Sequence, residues 1–184
     1  ISPDLDTLLY TLSGKSNPEQ GWGLANETWE FMSAMSELGG ELWFQLGDRD
    51  LATHVERTRR LQIGQSLSEI TTCFRQNFGI RAAVLPATDD YLRTIVQTDM
   101  GVLSFQEYFV RERCNPSIQN LYFQGSESAQ ITTDLTKALE SKELKTIIFC
   151  PSNPLLSIDP IISIQGLKKA FADSGSKIVA VTPI

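Results

Sequence analysis

Histidine and cysteine are scarce in this sequence of 184 residues, and each scarcity closes off chemistry. Cys73, Cys114 and Cys150 are three, an odd number, with no Cys-x-x-Cys spacing. That excludes a disulfide framework and a zinc knuckle and suits a reducing compartment. A single histidine, His54, leaves a histidine-built metal site without ligands, so any metal is expected to be a hard cation held by carboxylates. Positive charge is not in excess: 16 Lys and Arg stand against 22 Asp and Glu, a net charge of −6. Neither nucleic acid nor an anionic membrane is an expected partner of such a chain. No apolar run approaches the roughly 20 residues of a membrane span, and no signal-peptide pattern opens the sequence. Phosphate loops of the GxGxxG or GxxxxGK[ST] kind are missing, as is a GxSxG elbow. What remains is an expected cytoplasmic, well-cored chain with a small lobe.

The stretch Leu42–Arg60 concentrates the chemistry that is present. Two aromatics lead into Gly47, three charges follow, and a helix then carries the only histidine. Asp50, Thr53, His54 and Arg57 fall at i, i+3, i+4 and i+7 and so form one polar stripe, with Leu51, Ala52 and Val55 free to pack inward. Asp48 and Asp50 suit the start of that helix as capping acids. Two readings stay open: a solvated face, or a site whose mix of acid, hydroxyl, imidazole and guanidinium differs from ordinary Glu/Lys pairing.

Around it, Pro3 fits a first helical position with Asp4 and Asp6 in the first turn. Trp22, between two glycines of a turn-rich loop, either plugs a core edge or closes over a planar ligand. Asn26 is expected to cap a helix through Leu38 whose stripe Trp29, Met32, Met35 and Leu38 is core. Ser66 and Glu69 read as a capping box for the next helix. Thr94–Thr98 and Val102–Phe109 predict a hairpin, and Ser117–Phe123 a further strand; Asn120–Gly125 resembles a protease-cleavage tag but reads as native strand and turn. A helix is expected near Thr133–Glu140. Thr146–Cys150, a helix through Gly166–Ala172 and Ile178–Val181 predict a βαβ unit whose strands are covered on both faces. Ser152 and Asn153 then sit beyond a strand's carboxyl end, where α/β sheets meet ligands, although Pro-Ser-Asn-Pro also suits a plain turn. The fold class is α/β: a Rossmann-like parallel sheet with flanking helices, beside a smaller, largely antiparallel lobe.

Taken together, SPDLDT (Ser2–Thr7), GWG (Gly21–Gly23), ETW (Glu27–Trp29), LGDRDLATH (Leu46–His54), LPATDD (Leu85–Asp90), FQEYFVR (Phe105–Arg111) and PSNP (Pro151–Pro154) resemble the 2-phospho-L-lactate transferase family of the CofD/FbiA type, in its bacterial form. The resemblance implies coenzyme F-420 biosynthesis: the terminal ribityl hydroxyl of the deazaflavin Fo attacks a guanosine-diphosphate-linked donor of phospholactate or phosphoenolpyruvate, and GMP leaves. It implies Mg²⁺ as cofactor and a homodimer. By position, Asp6 takes the catalytic role and, with Asp4, the metal. Asp6, Gln45, Asp48, Asp50, Thr53, His54 and Arg57 would bind or brace Fo, and Ser152 and Asn153 would meet the donor nucleotide.

The same resemblance divides the chain into residues 1–65 (helical part of the Fo-binding core), 66–130 (inserted lobe) and 131–184 (βαβ part of the nucleotide sheet). Against the family's pattern, an initial strand with a GGTG-like loop and a final sheet are absent. The expectation is a central piece, truncated at both ends and inactive alone. The alternative from another class is a non-catalytic nucleotide- or sugar-nucleotide-binding regulatory module of the same fold.

Overall fold

The structure, a computed structural model, describes residues 2–182. The chain forms two compact units, Ile1–Val84 and Leu85–Ile184. The first is helical: α1 (Pro3–Leu12), α2 (Glu30–Glu37), α3 (Asp48–Gln62) and α4 (Leu67–Asn77). Its core gathers Leu9, Tyr10, Leu24, Ile70, Phe74, Ile80 and Val84, with Leu5 and Phe78 packed against them. Helix α4, placed with the middle part by the sequence division, therefore shares this core with α1. It carries the expected capping box, with Ser66 and Glu69 each accepting from the other's backbone.

Three details of this unit differ from expectation. Helix α2 starts at Glu30, and Asn26 instead adopts a left-handed φ of 55° in the loop before it. Of its apolar stripe only Met32 is buried, while Leu38, just past the last turn, is 83% exposed. Eight residues make too short a helix to bury a stripe running from Trp29 to Leu38. Helix α3 is rotated against its apolar side: Val55 is exposed, whereas Arg57 is buried and Asp50 and His54 are nearly so. Partners on α1 make that inward polar face tolerable, because buried charges persist only when paired.

In the second unit β1 (Arg93–Thr98), β2 (Gly101–Ser104) and β3 (Ile118–Gln124) form an antiparallel sheet in the order β2-β1-β3. The hairpin turns at Asp99-Met100, and Asn120–Gln124 pairs as native strand. The second strand stops at Ser104, short of the expected Phe109. Ser104 and Glu107 close a reciprocal cap, each accepting from the other's backbone, and Glu107–Arg111 continues as a π-helical turn. Next come α5 (Thr133–Leu139), β4 (Thr146–Phe149), a second π-helical turn at Pro154–Ile158, α6 (Asp159–Ile162), α7 (Leu167–Asp173) and β5 (Lys177–Ala180). β4 and β5 pair in parallel, as a βαβ connection requires. Their core partners are Ala129, Leu139, Ile164 and Leu167. The strands are not covered on both faces: Ile147 packs into that core, but Ile148 is 59% exposed.

Candidate active site

The polar stripe of α3 meets α1 through side-chain contacts. Asp6 and Arg57, at 5% and 4% exposure, form a two-pronged ion pair: Arg57 Nη1 donates to Asp6 Oδ2 at 3.0 Å and Nη2 to Oδ1. Arg57 also lies over the Phe74 ring at 5.9 Å, so the core supports it from the other side. Its Nη1 approaches His54 Nδ1 at 3.5 Å. A guanidinium can only donate, so any hydrogen bond there has Nδ1 as acceptor; the other ring nitrogen is Nε2. That atom faces Asp50 Oδ1 at 3.5 Å. Asp50 Oδ1 accepts a shorter bond, 2.7 Å, from the Tyr10 hydroxyl. Asp6, Arg57, His54, Asp50 and Tyr10 thus form one continuous chain of polar contacts.

Environment separates the two acids. Burial pushes the Asp6 carboxyl above the usual range, against the pull of Arg57. Burial also pushes Asp50 up, but hydrogen bonds from His54 and Tyr10 outweigh it and hold that carboxyl below the usual range. Tyr10 is driven well above its ordinary range by burial and by Asp50, so it remains a neutral donor; the Thr53 hydroxyl also reaches it.

This network opens into a cavity of about 130 Å³ lined by Asp6, Tyr10, Trp22, Phe44, Asp50 and His54, with Gln45 at its wall. The Gln45 amide is turned back to donate to the Leu42 carbonyl at 2.7 Å. Sequence reasoning missed Tyr10 and Phe44. Tyr10 was findable: it lies four residues after Asp6, hence on the same helical face. Trp22 is no core plug, being 53% exposed.

Asp48 is not in this cavity. It accepts from the Thr28 hydroxyl at 2.6 Å and from the backbone N–H groups of Glu30 and Phe31, and so caps α2. The Thr28 hydroxyl chiefly holds its carboxyl below the usual range. In return Glu27 accepts from the N–H groups of Arg49 and Asp50 and caps α3. The two helix starts therefore cap each other. A Cβ on Gly47 would overlap the Glu27 carboxyl, which is why glycine precedes Asp48 here.

The carboxylates assigned to Mg²⁺ do not converge. Asp6 has both oxygens on Arg57, while Asp4, two residues along α1, is exposed. Among the described residues no three His, Cys, Asp or Glu side chains gather as a metal cage. The residues present do not fit a cation held by Asp4 and Asp6.

Ser152 and Asn153 lie in the second unit, beyond the carboxyl end of β4. Ser152 is half-buried. Asn153 Oδ1 accepts from the N–H groups of Leu155 and Leu156, capping the turn that follows and leaving its amide NH₂ to donate.

Residues 1–184 match the family described as "2-phospho-L-lactate transferase CofD". The chain is 39% identical over 184 residues to a 2-phospho-L-lactate transferase of Methanosarcina mazei, covering all of this chain and 59% of that protein. It is 39% identical over 191 residues to a phosphoenolpyruvate transferase of Mycobacterium tuberculosis, covering 57% of it. A crystal structure of a Bacillus halodurans protein of the UPF0052 family shares the fold at a TM-score of 0.59 and 14% identity, over 97% of this chain and 54% of that one. The chain thus spans somewhat over half the length of the curated relatives it matches. Matched from its first residue to its last, it belongs to the CofD 2-phospho-L-lactate transferase family.

Proposed function

We propose that the full-length protein transfers a phospholactyl or phosphoenolpyruvyl group from a guanosine-diphosphate-linked donor to the terminal hydroxyl of the deazaflavin Fo, in coenzyme F-420 biosynthesis. The observation that carries this reading is Asp6: a carboxylate at the wall of an aromatic-lined cavity, with a pKa raised by burial and a position held by Arg57. Such a group is a stronger base than a surface acid.

In the proposed step the Fo hydroxyl gives its proton to Asp6 as its oxygen bonds to the phosphorus bearing the lactyl or enolpyruvyl group. The bond from that phosphorus to the bridging oxygen breaks, and GMP leaves with that oxygen. Arg57 offsets charge on Asp6 and fixes its orientation. His54 and Asp50 supply polar contacts along the chain of the acceptor, and Gln45 a further amide. Thr53 braces Tyr10, and Asp48 caps α2 while Glu27, just before that helix, caps the helix that carries Asp50. Ser152 and the Asn153 amide are the groups proposed to meet the donor nucleotide. The same reading implies a cytoplasmic homodimer.

The test is full-length protein incubated with Fo, Mg²⁺ and donor, beside Asp6→Asn, with product followed by mass. The parent should form the phosphodiester, and Asp6→Asn should bind Fo yet lose about 10²-fold or more of the rate. Equal turnover would remove Asp6 from the chemistry. Nucleotide binding with no turnover of Fo would favour the regulatory module instead.

A further inference from the structure

In the three-stranded sheet of the second unit β1 lies between β2 and β3, so each outer strand has one edge with no strand beside it among the described residues. A free edge presents a row of unpaired N–H and C=O groups, and monomeric proteins guard it by shortness, lysine, proline or a bulge. β2 is guarded: it has four residues and ends at Ser104, where the cap with Glu107 turns the chain into the π-helical segment. β3 is not. It runs for seven residues, Ile118–Gln124, with no charged residue and no proline, in a chain of which 21% is charged. Its one irregularity, the register shift opposite Gln97 and Thr98, lies at the Ile118 end. Asn120–Gln124 is left paired residue for residue with Gln97–Arg93.

That regular stretch reads the same from both ends: amide, apolar, tyrosine, apolar, amide. A twofold axis asks for such a match, because a strand paired antiparallel with its own copy sets residue i against j and j against i. With Tyr122 on the axis, Tyr122 meets Tyr122, Leu121 meets Phe123 twice, and Asn120 meets Gln124 twice. Side chains alternate between the two faces of a strand, so each of these pairs forms on a single face. Leu121 and Phe123 share the face of the fully buried Val96, and Tyr122 the other face with Ile95. No pair sets like charges together. Exposed apolar area continues at both ends: Ile118 is 52% exposed, and Tyr91, whose hydroxyl donates to Gln124 at 3.5 Å, is 59% exposed. The same axis carries the Ile118 end of each copy beside the Gln124 end of the other. Five paired residues alone bury less than the roughly 1,200 Å² of a stable association, and these flanks enlarge the contact.

We propose, resting on the homodimer reading, that a second copy of this chain pairs with β3 edge to edge about a twofold axis through Tyr122. The two three-stranded sheets become one of six strands, in the order β2-β1-β3-β3-β1-β2. The outward N–H and C=O groups of Asn120–Gln124 supply the ladder, and the facing side-chain pairs set its register. Because the same patch is used on both copies, the assembly closes at two.

The experiment reads the mass of the full-length protein by light scattering across a dilution series. The parent should be a dimer. Tyr122→Lys sets two lysines opposite each other on the axis and should raise the dimer dissociation constant by roughly tenfold or more, with unchanged circular dichroism. Tyr122→Phe should keep the parent value. Tyr122→Cys is a second check, independent of how the lysine variant folds. Residues directly opposite in antiparallel strands have Cα atoms about 4.5–5.5 Å apart, within disulfide reach. Under a mild oxidant Tyr122→Cys should give a covalent dimer absent from the parent and from Asn120→Cys, whose own counterpart lies four positions away. A dimeric parent whose Tyr122→Cys stays unlinked, or whose folded Tyr122→Lys keeps the parent constant, overturns this interface while the homodimer reading stands. Another strand of the full-length chain seated on the edge would give that result. A monomeric parent overturns the homodimer reading and this proposal with it, and leaves the transfer step untouched.

Discussion

Replacing Arg57 with leucine would leave the Asp6 carboxylate buried without a counter-charge, since Asp6 takes both of its strong hydrogen bonds from that guanidinium. Breaking a buried pair from one side is expected to cost about 3–5 kcal/mol, readable as a lowered urea midpoint. Tyr10→Phe tests the other end of the chain of contacts. It removes the 2.7 Å bond to Asp50 and should cost about 1.5–3 kcal/mol at neutral pH. Asp50 titrates below the usual range in the fold. Its contribution is therefore present above the unfolded carboxylate range and lost as pH falls through the lower, folded value. Parent and Tyr10→Phe should converge in stability as the pH drops below about 4. The spacing of Asp50, Thr53, His54 and Arg57 was legible in the sequence as a stripe. Its direction was not, because Val55 and Leu51 offered an equally good inward face until Asp6 and Tyr10 were seen to supply the partners.

The elements carry a second layer of design in the mutual caps of α2 and α3. Glu27→Ala should expose the N–H groups of Arg49 and Asp50 and cost about 1 kcal/mol. Gly47→Ala should reproduce that loss without touching a polar group, because its methyl displaces the Glu27 carboxyl. A double variant adding little to either single change would show that the two act through one contact. The capping box at Ser66 was readable because its partners lie three residues apart. Glu27 and Asp48 lie 21 positions from each other, and a cap supplied across such a separation has no local signature. The Ser104–Glu107 cap did have one, and the apolar residues after Ser104 masked it by continuing the look of a strand.

At the scale of the molecule, each unit has its own buried cluster. Ile70→Ala and Leu167→Ala, both at fully buried positions, should each cost about 2–5 kcal/mol. Trp22, Trp29 and Trp43 all belong to the first unit, so fluorescence should follow the loss in Ile70→Ala, whereas Leu167→Ala is read by circular dichroism of the second. No helix of the described residues is long and apolar enough to cross a membrane. The α/β class, the helices from α3 to α5, the hairpin and the parallel strand pair were determined by the sequence alone, because periodicity, caps and turn residues act within a few positions of themselves. Motif order along the chain likewise pointed to the family. Tertiary structure alone decided that Asp6 belongs to Arg57 and that Asp48 serves α2. Each of these joins residues brought together only by folding, where burial and pairing rather than spacing determine which contact is kept.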